Sequence, residues 1–335
     1  MNNSNLGDFR NRILFSRGKV TSNAGIIVFI LMIVIFSILS PPFLSMYNIT
    51  NVLRNISVLA IVAFGVTFCT LVGEFDISFG YVAGLSSMFV AGALRAGQPL
   101  IVVLLIGLAT GMLFGILNGF IATKVGLIDM VTTLSTGFIA NGISFTYSRG
   151  YAIYEGITAA FTYLGRGSIL SIPIPAIIML ALFAGFIIFM NFTKMGKYMQ
   201  AVGGSPGTAF MSGINKVYWK WMAYIISGTC AGLAGILLTA TLKGASASEG
   251  PHLLMDGIAA IFLGQALSSK KAKSAADVTM IGTFFGVLFI GLLDNGLILL
   301  GFSWHVRTFI KGLMIILALA LKLRADDRRV EVPVH

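Results

Sequence analysis

The chain has 335 residues, of which 57% are hydrophobic and only 10% charged, and its mean hydropathy is +0.92. A soluble domain carries about 25% charged residues, so this composition excludes a soluble globular protein and predicts an integral membrane protein. The net charge of +11 does not indicate nucleic-acid binding, because the basic residues cluster in short segments between apolar runs. Membrane lipid is the expected surrounding, and no nucleic-acid partner is expected.

Ten apolar runs approach the roughly 20 residues that a membrane-spanning helix needs. The third and eighth are the weakest, and eight spans remain if these two only re-enter the membrane. The sequence therefore predicts an all-α integral membrane protein with about ten transmembrane helices. The predicted spans are 24–40, 54–72, 77–95, 99–122, 130–147, 170–192, 219–242, 255–268, 278–301 and 305–323.

The basic residues between these spans predict the orientation of the chain. With a cytoplasmic N-terminus, the inner segments hold 16 of the 23 lysines and arginines, and the outer segments hold five. This asymmetry follows the positive-inside rule and predicts that both termini are cytoplasmic. The expected organisation is a cytoplasmic segment 1–23, a single transmembrane domain 24–323 and a cytoplasmic tail 324–335.

Two carboxylates, Glu74 and Asp76, lie in a glycine-bounded break between the second and third spans, residues 73–80. An ionised carboxylate near hydrocarbon costs at least about 2.5 kcal/mol, so such residues face a bundle interior or a wet cavity. Interrupted helices are typical of transporters. Asp76 is interpreted as a cap of the helix starting at Ile77, a pathway carboxylate, or both. Glu74 is the better pathway candidate.

Four further polar residues inside spans are candidates for the substrate pathway. Asn141 lies in the fifth span, and Asp256 opens the eighth, where it can also cap the segment beginning at Gly257. Asp294 and Asn295 lie late in the ninth span. Hydrogen bonds between helices are the competing interpretation for the last two and for Asn141.

The sequence contains none of the motifs that are typical of metal-binding or cofactor-binding proteins. Its two cysteines lie inside apolar runs, its three histidines are isolated, and the P-loop of ATP-binding proteins is missing. No metal, no cofactor and no ATP-binding site is therefore expected. An integral-membrane enzyme is unfavoured because the chain has neither a metal-spaced cluster nor a nucleophile–base pair.

The chain also contains a weak internal repeat. Residues 125–137 align without gaps with residues 300–312, and 115–119 resemble 291–296. Spans two to five then correspond to spans seven to ten. The offset of five spans is odd, so the two halves are predicted to be inverted in the membrane, as in many transporters. Glycines every four residues in the fourth span, beginning at Gly107, predict close helix packing.

The longest predicted inner segment is the coupling loop 193–218, which contains a short helix between glycines. Ser205 can cap this helix, Pro206 can begin it and Gly213 can end it. A compact helix of this kind is suited to docking on a cytoplasmic partner. The candidate docking residues are Gly203, Gly204, Pro206, Ala209, Ser212 and Gly213.

Three stretches, 73–80, 195–215 and 291–312, resemble the permease subunits of bacterial ABC importers for ribose and related monosaccharides. The resemblance covers about residues 45–322. It implies an inner-membrane importer subunit whose short loop helix is the coupling helix. The implied partners are a second permease subunit forming a homo- or heterodimer, two ATP-binding subunits and a periplasmic sugar-binding protein.

The chain departs from this family's pattern in two places. Glu74 replaces a glycine of the motif, and Pro206-Gly207-Thr208 replaces a stretch that contains Glu-Ala in many members. The alternative function is a proton-coupled secondary transporter that uses Glu74 and Asp76. The long coupling loop argues against it, because a secondary transporter needs no docking helix.

Overall fold

The computed structural model describes residues 27–267 and 279–330, with 266–267 and 318–330 as backbone only. The predicted segment 1–23 lies outside the described residues. Helices dominate the described part, with a short hairpin of β1 (Ser168–Ile169) and β2 (Ile172–Pro173). The helices are α1 (Ile27–Leu39), α2 (Met46–Leu71), α3 (Phe79–Arg95), α4 (Leu100–Phe120), α5 (Asp129–Ser148), α6 (Ala159–Arg166), α7 (Ile174–Phe192), α8 (Lys194–Gly204), α9 (Pro206–Met211), α10 (Lys216–Leu242), α11 (Glu249–Leu267), α12 (Met280–Leu299) and α13 (Trp304–Val330).

The all-α membrane fold is confirmed, and each of the ten predicted spans overlaps a helix. Five helices of the described chain are long and apolar enough to cross a membrane by length and composition, namely α2, α4 with its π-helical extension to Val125, α7, α10 and α12. Helices α2 and α11 begin at Met46 and Glu249, eight and six residues before the predicted spans, so both helices extend beyond their apolar runs.

Helix α2 lies at the centre of the bundle rather than at its surface. Every residue from Ile56 to Val72 is buried, and α2 packs against α7, α10, α11 and α12. A helix that is apolar on all sides belongs in an interior of this kind. The break that follows α2 is therefore held inside protein.

Glycines bring α4 and α10 into close contact, as their spacing predicts. A Cβ atom added to Gly111 would lie 2.1 Å from the carbonyl oxygen of Gly228, and one added to Gly228 would lie 2.3 Å from that of Gly111. No side chain can enter so narrow a gap, so the two backbones pack directly on each other. This contact fixes α10 beside α4 and so positions the residues at the start of α10.

The helix contacts repeat between the two halves of the chain. In the first half α3 contacts α4 and α5, and in the second half α11 contacts α12 and α13. Across the halves, α10 contacts α3 and α4 just as α2 contacts α11 and α12. The same pairs of helices are thus in contact in α2–α5 and in α10–α13, as expected if the two halves repeat one arrangement.

Candidate functional site

The break between α2 and α3 takes its hydrogen bonds from side chains of α5. The Phe75 amide donates to Asp129 Oδ2 over 2.7 Å, and the Ile77 amide donates to Thr133 Oγ1 over 3.0 Å. Each unpaired backbone group at membrane depth costs several kcal/mol. Helix α5 therefore stabilises the irregular backbone that carries both carboxylates.

Asp76 is enclosed by hydroxyl and amide donors, with an exposed fraction of only 1%. Its Oδ1 accepts from the Ser78 amide at 2.8 Å and from Ser78 Oγ at 2.6 Å, while Oδ2 accepts from Ser227 Oγ at 2.6 Å. Helix α3 begins at Phe79 with Ser78 as its N-cap, so Asp76 does not cap a helix starting at Ile77, although it accepts from the amide of Ser78. A pathway role for Asp76 stays a prediction.

A chain of hydrogen bonds extends from Asp76 into α4 and α5. Asn118 Nδ2 donates to Ser78 Oγ over 2.8 Å, and Thr136 Oγ1 donates to Asn118 Oδ1. We call Asp76, Ser78, Asn118 and Thr136 the Asp76 network. Sequence reasoning missed Asn118 and Thr136 as site residues. For Thr136, the available signal was the polar face that recurs every three or four residues along α5.

Glu74 joins the break to the first turns of α10. Its carboxylate forms an ion pair with Lys220 and accepts a hydrogen bond of 2.9 Å from Tyr224 Oη. The side chain of Glu74 is 12% exposed and that of Lys220 is 29% exposed. Gly73 precedes it with φ +81°, a left-handed conformation that favours glycine. Sequence reasoning did not predict Lys220 or Tyr224 as its partners.

Asp256 and Asp294 belong to a second cluster, formed by α11, α12 and α13. Lys311 pairs with Asp256 and lies 2.9 Å from Asp294 Oδ1, while Arg307 pairs with Asp294 Oδ2. We call these four residues the Lys311 cluster. The interpretation of Asp256 as a cap is wrong, because α11 begins seven residues earlier and Asp256 lies within it.

The other two pathway candidates occupy different surroundings. Asn295 and Asn48 exchange amide hydrogen bonds of 2.8 and 2.9 Å, which tie α12 to α2. Asn141 is half-buried on α5 and belongs to neither cluster. The structure thus brings Glu74 and Asp76 together, and Asp256 with Asp294, and leaves Asn141 apart.

The coupling loop contains two helices, α8 and α9, where the sequence predicts one. Gly213 follows α9 with φ +73°, in the left-handed conformation expected of a residue after a helix end. Ser205 precedes Pro206 as predicted, but its hydroxyl contacts Thr208 Oγ1 at 2.8 Å instead of a backbone amide. Helix α8 has its own cap, since Thr193 Oγ1 accepts from the Gly196 amide.

Helix α8 rests directly on the end of α2. A Cβ atom added to Gly203 would lie 1.8 Å from the carbonyl oxygen of Leu71, so only glycine permits this approach. Met199 and Val202 of α8 are fully buried beside it. The candidate docking segment is therefore in contact with the residue that precedes the Glu74–Asp76 break. Within the described residues, no group of His, Cys, Asp and Glu is placed to hold a metal ion.

Comparison with known proteins gives a consistent set of relatives. A family model described as branched-chain amino acid transport system / permease component matches residues 48–319. Ribose import permease protein RbsC of Bacillus subtilis (strain 168) is 35% identical over 293 residues, 87% of this chain and 89% of the relative.

Two permeases of Escherichia coli (strain K12) extend the comparison. The D-allose transport system permease protein AlsC is 32% identical, covering 87% of this chain and 88% of its own length. The probable ABC transporter permease protein YphD is 31% identical, covering 90% of each chain. No solved structure matches the chain.

Proposed function

We propose a substrate and an assembly for this chain, which belongs to the branched-chain amino acid transport system / permease component family. As a permease it is a transport subunit and not an enzyme, and the hydrolysis of ATP belongs to separate partner subunits. The proposed substrate is a monosaccharide or a similar small polar solute. Relatives that cover nearly the whole chain and are named for ribose and allose import carry this proposal.

The proposed assembly contains a second permease subunit, identical or related, two ATP-binding subunits and a periplasmic sugar-binding protein. It lies in the bacterial inner membrane with both termini of this chain in the cytoplasm. The coupling loop supports the cytoplasmic part of this assembly. Helices α8 and α9 follow each other directly, and the contact of Gly203 in α8 with Leu71 can transmit a push to α2.

The pathway residues are proposed from their positions in the bundle. Glu74 and Asp294 belong to ion pairs that are only partly buried within the chain, so they are proposed to face the pathway. Asp76 and Asn295 are proposed to shape the pathway by holding helices, because their polar atoms bind other protein groups. Asp256 acts with Asp294, and Asn141 is proposed as a separate contact on α5.

A proton-coupled secondary transporter has no support from the relatives, which are named as import permeases. The geometry of its two proposed carboxylates also argues against it. Glu74 is neutralised by Lys220, and Asp76 already accepts three hydrogen bonds. Neither carboxylate is an isolated proton-binding group.

The deciding experiment is purification of the tagged chain from its own cells, together with uptake of labelled ribose and allose. We expect an ATP-binding subunit to co-purify and uptake to stop when cellular ATP is depleted. Uptake that persists without ATP but stops when a protonophore is added would contradict the proposal. As a control, a tagged chain with Gly185→Ala should co-purify and transport like the wild type, because Gly185 on α7 faces open space.

A further inference from the structure

Arg54, Arg166 and Thr241 join three elements of the bundle, the first part of α2, the end of α6 and the end of α10. Arg54 Nη2 donates to the Arg166 carbonyl oxygen over 2.9 Å, and Arg166 Nε donates to the Thr241 carbonyl oxygen over 2.8 Å. Arg54 Nη1 also donates to Asn51 Oδ1 over 3.2 Å. These bonds hold both arginines at one junction of the three helices. We call Arg54, Arg166 and Thr241 the arginine group.

No carboxylate neutralises either arginine within the described residues. The ion pairs found there involve only Lys220, Arg307 and Lys311 as cations. The atoms that accept from Arg54 and Arg166 are backbone or amide oxygens, which carry no charge. The acidic side chains outside the described part belong to segments predicted to be cytoplasmic, whereas both arginines are predicted to lie outside. A partly buried cation without a counter-charge costs free energy, so the group favours an anion that this chain does not supply.

Two polar atoms of the group also lack a hydrogen-bond partner in the described part of the chain. They are Arg54 Nε and Thr241 Oγ1, and both atoms are buried. Nearly all buried polar atoms in native proteins have a partner, so an unmet donor and an unmet hydroxyl at one junction indicate that the group is completed from outside the chain. Arg166 is exposed, and no described residue accepts from its terminal Nη atoms. An anion can therefore approach the group from the side of Arg166.

The arginine group lies at the edge of three apolar runs. The predicted spans begin at residues 54 and 170 and end at 242, and the helices that contain them are long and apolar enough to cross a membrane. Arg54, Arg166 and Thr241 all lie within four residues of these limits. The head groups of a bilayer lie at that depth. The arginine group is thus placed at the level of the lipid phosphates.

The hairpin after Arg166 presents aliphatic side chains close to the arginine group. Ile169, Leu170 and Ile172 are 53%, 92% and 46% exposed, and β2 packs on α2. Leu170 and Ser171 have left-handed φ angles of +50° and +67°, as in the two-residue turn that closes a tight hairpin. Exposed aliphatic residues next to cations without counter-charges match a phospholipid, which has both acyl chains and a phosphate.

We propose that the arginine group binds the phosphate of an anionic phospholipid, whose acyl chains lie along the exposed residues of the hairpin. Arginine binds phosphate through two parallel N–H bonds, which give geometric specificity as well as charge. The two guanidinium groups disfavour a zwitterionic lipid, because its ammonium group would approach them. The bound lipid joins α2, α6 and α10 at the membrane surface. This site requires only a position in the membrane and not a particular transported solute.

The test titrates the delipidated full chain in detergent with dioleoylphosphatidylglycerol and counts the bound molecules by native mass spectrometry. We expect Arg54→Gln/Arg166→Gln to need at least about tenfold more lipid than the wild type to bind its first molecule, because two charged donors are lost. Dioleoylphosphatidylcholine, a zwitterionic lipid, should bind the wild type at least about tenfold more weakly. An excess of inorganic phosphate should not displace the anionic lipid, because it cannot replace the acyl-chain contacts.

Arg95→Gln/Arg149→Gln is the matched control, since it removes the same charge from two exposed arginines on the same predicted side. It should bind the lipid like the wild type. Arg54→Lys/Arg166→Lys keeps the charge without the planar fork and should bind more tightly than the glutamine variant. Arg166→Gln alone should also weaken binding, and it keeps the test valid if the variants of the partly buried Arg54 do not insert, because Arg166 is exposed.

Equal lipid binding by the wild type and Arg54→Gln/Arg166→Gln would overturn the proposal, as would equal binding of the two lipids by the wild type. Displacement by inorganic phosphate would show that the arginines hold a free anion instead of a lipid. Unchanged lipid binding with weaker capture of the purified periplasmic sugar-binding protein would assign the arginines to the docking of an acidic protein. None of these measurements requires uptake of ribose or allose, so failure of the lipid site and failure of the proposed substrate are distinguishable.

Discussion

Glu74 is a residue whose role depends on two partners far along the chain. Lys220 neutralises one side of the carboxylate, and Tyr224 donates to the other. Both partners lie on α10, so this single carboxylate ties the break after α2 to another helix.

We predict that Glu74→Gln lowers uptake while the chain still inserts in the membrane. The change removes the charge that neutralises Lys220, and a hydrogen bond to a charged group contributes about 1.5–3 kcal/mol. A loss of about 1.4 kcal/mol corresponds to tenfold in rate. The measurement is the initial rate of sugar uptake, normalised to the amount of chain in the membrane.

Glu155→Gln is the matched control, because Glu155 is exposed and no ion pair within the described residues involves it. The double variant Glu74→Gln/Lys220→Gln should recover part of the lost uptake, since both charges are then absent. Wild-type uptake in Glu74→Gln, at normal expression, would show that the ion pair is dispensable. If the amount of chain in the membrane falls while the normalised uptake rate does not, Glu74 contributes to the stability of the chain rather than to transport.

At the scale of elements, the contact between α8 and α2 is the narrowest in the coupling loop. We predict that Gly203→Ala reduces uptake at least tenfold, because the added Cβ would lie 1.8 Å from the Leu71 carbonyl oxygen and push α8 away from α2. Co-purification of the ATP-binding subunit should persist, since the surface of α9 is unchanged. Normal uptake in this variant would exclude the contact as a route of transmission.

The end of α9 gives a second prediction at this scale. Gly213→Val places a β-branched residue at φ +73°, which costs roughly 1–2 kcal/mol or more. We expect the chain to insert normally, to bind its ATP-binding subunit poorly and to lose uptake. Ser212→Ala should be mild, because Ser212 is exposed and its negative φ of −85° is open to any residue. Full retention of the ATP-binding subunit in Gly213→Val would show that the loop is only a connector.

The elements themselves were largely predictable from the sequence, because apolar runs and glycine spacing are local signals. Close packing by the glycines of the fourth span and the position of Gly213 after a helix end were both predicted, whereas the partner of Gly111 on α10 was not. Helix α8 was missed because its polar sequence resembles a loop. Its burial comes from Met199 and Val202 packing against distant helices, and the sequence does not display that contact.

The sequence predicted which residues belong to the candidate sites, but not which side chains they bind. Glu74, Asp76, Asp256 and Asp294 stand out because carboxylates are rare in apolar runs. Lys220, Arg307 and Lys311 were not recognised as site residues. Their pairing with carboxylates depends on how helices from both repeats pack, which no local pattern records.

At the scale of the whole molecule, the charge distribution predicts the orientation in the membrane. We predict that Lys243→Cys is labelled from outside intact cells and that Lys197→Cys is not, in a chain without its two native cysteines. Both positions are exposed, so the reagent can reach each of them once it is on the correct side. Permeabilised cells should label both, which is the control. Efficient labelling of Lys197→Cys in intact cells would overturn the ten-span orientation.

The long-range bonds of each repeat also constrain the order in which the protein can be made. The Phe75 amide and the Asp256 carboxylate emerge from the ribosome 54 and 55 residues before Asp129 and Lys311. At 5–20 residues per second, each group waits roughly 3 to 10 seconds for its partner. Lipid cannot satisfy either group during that interval. We therefore expect each of these two segments to stay beside the insertion machinery until the helix that carries its partner has been made.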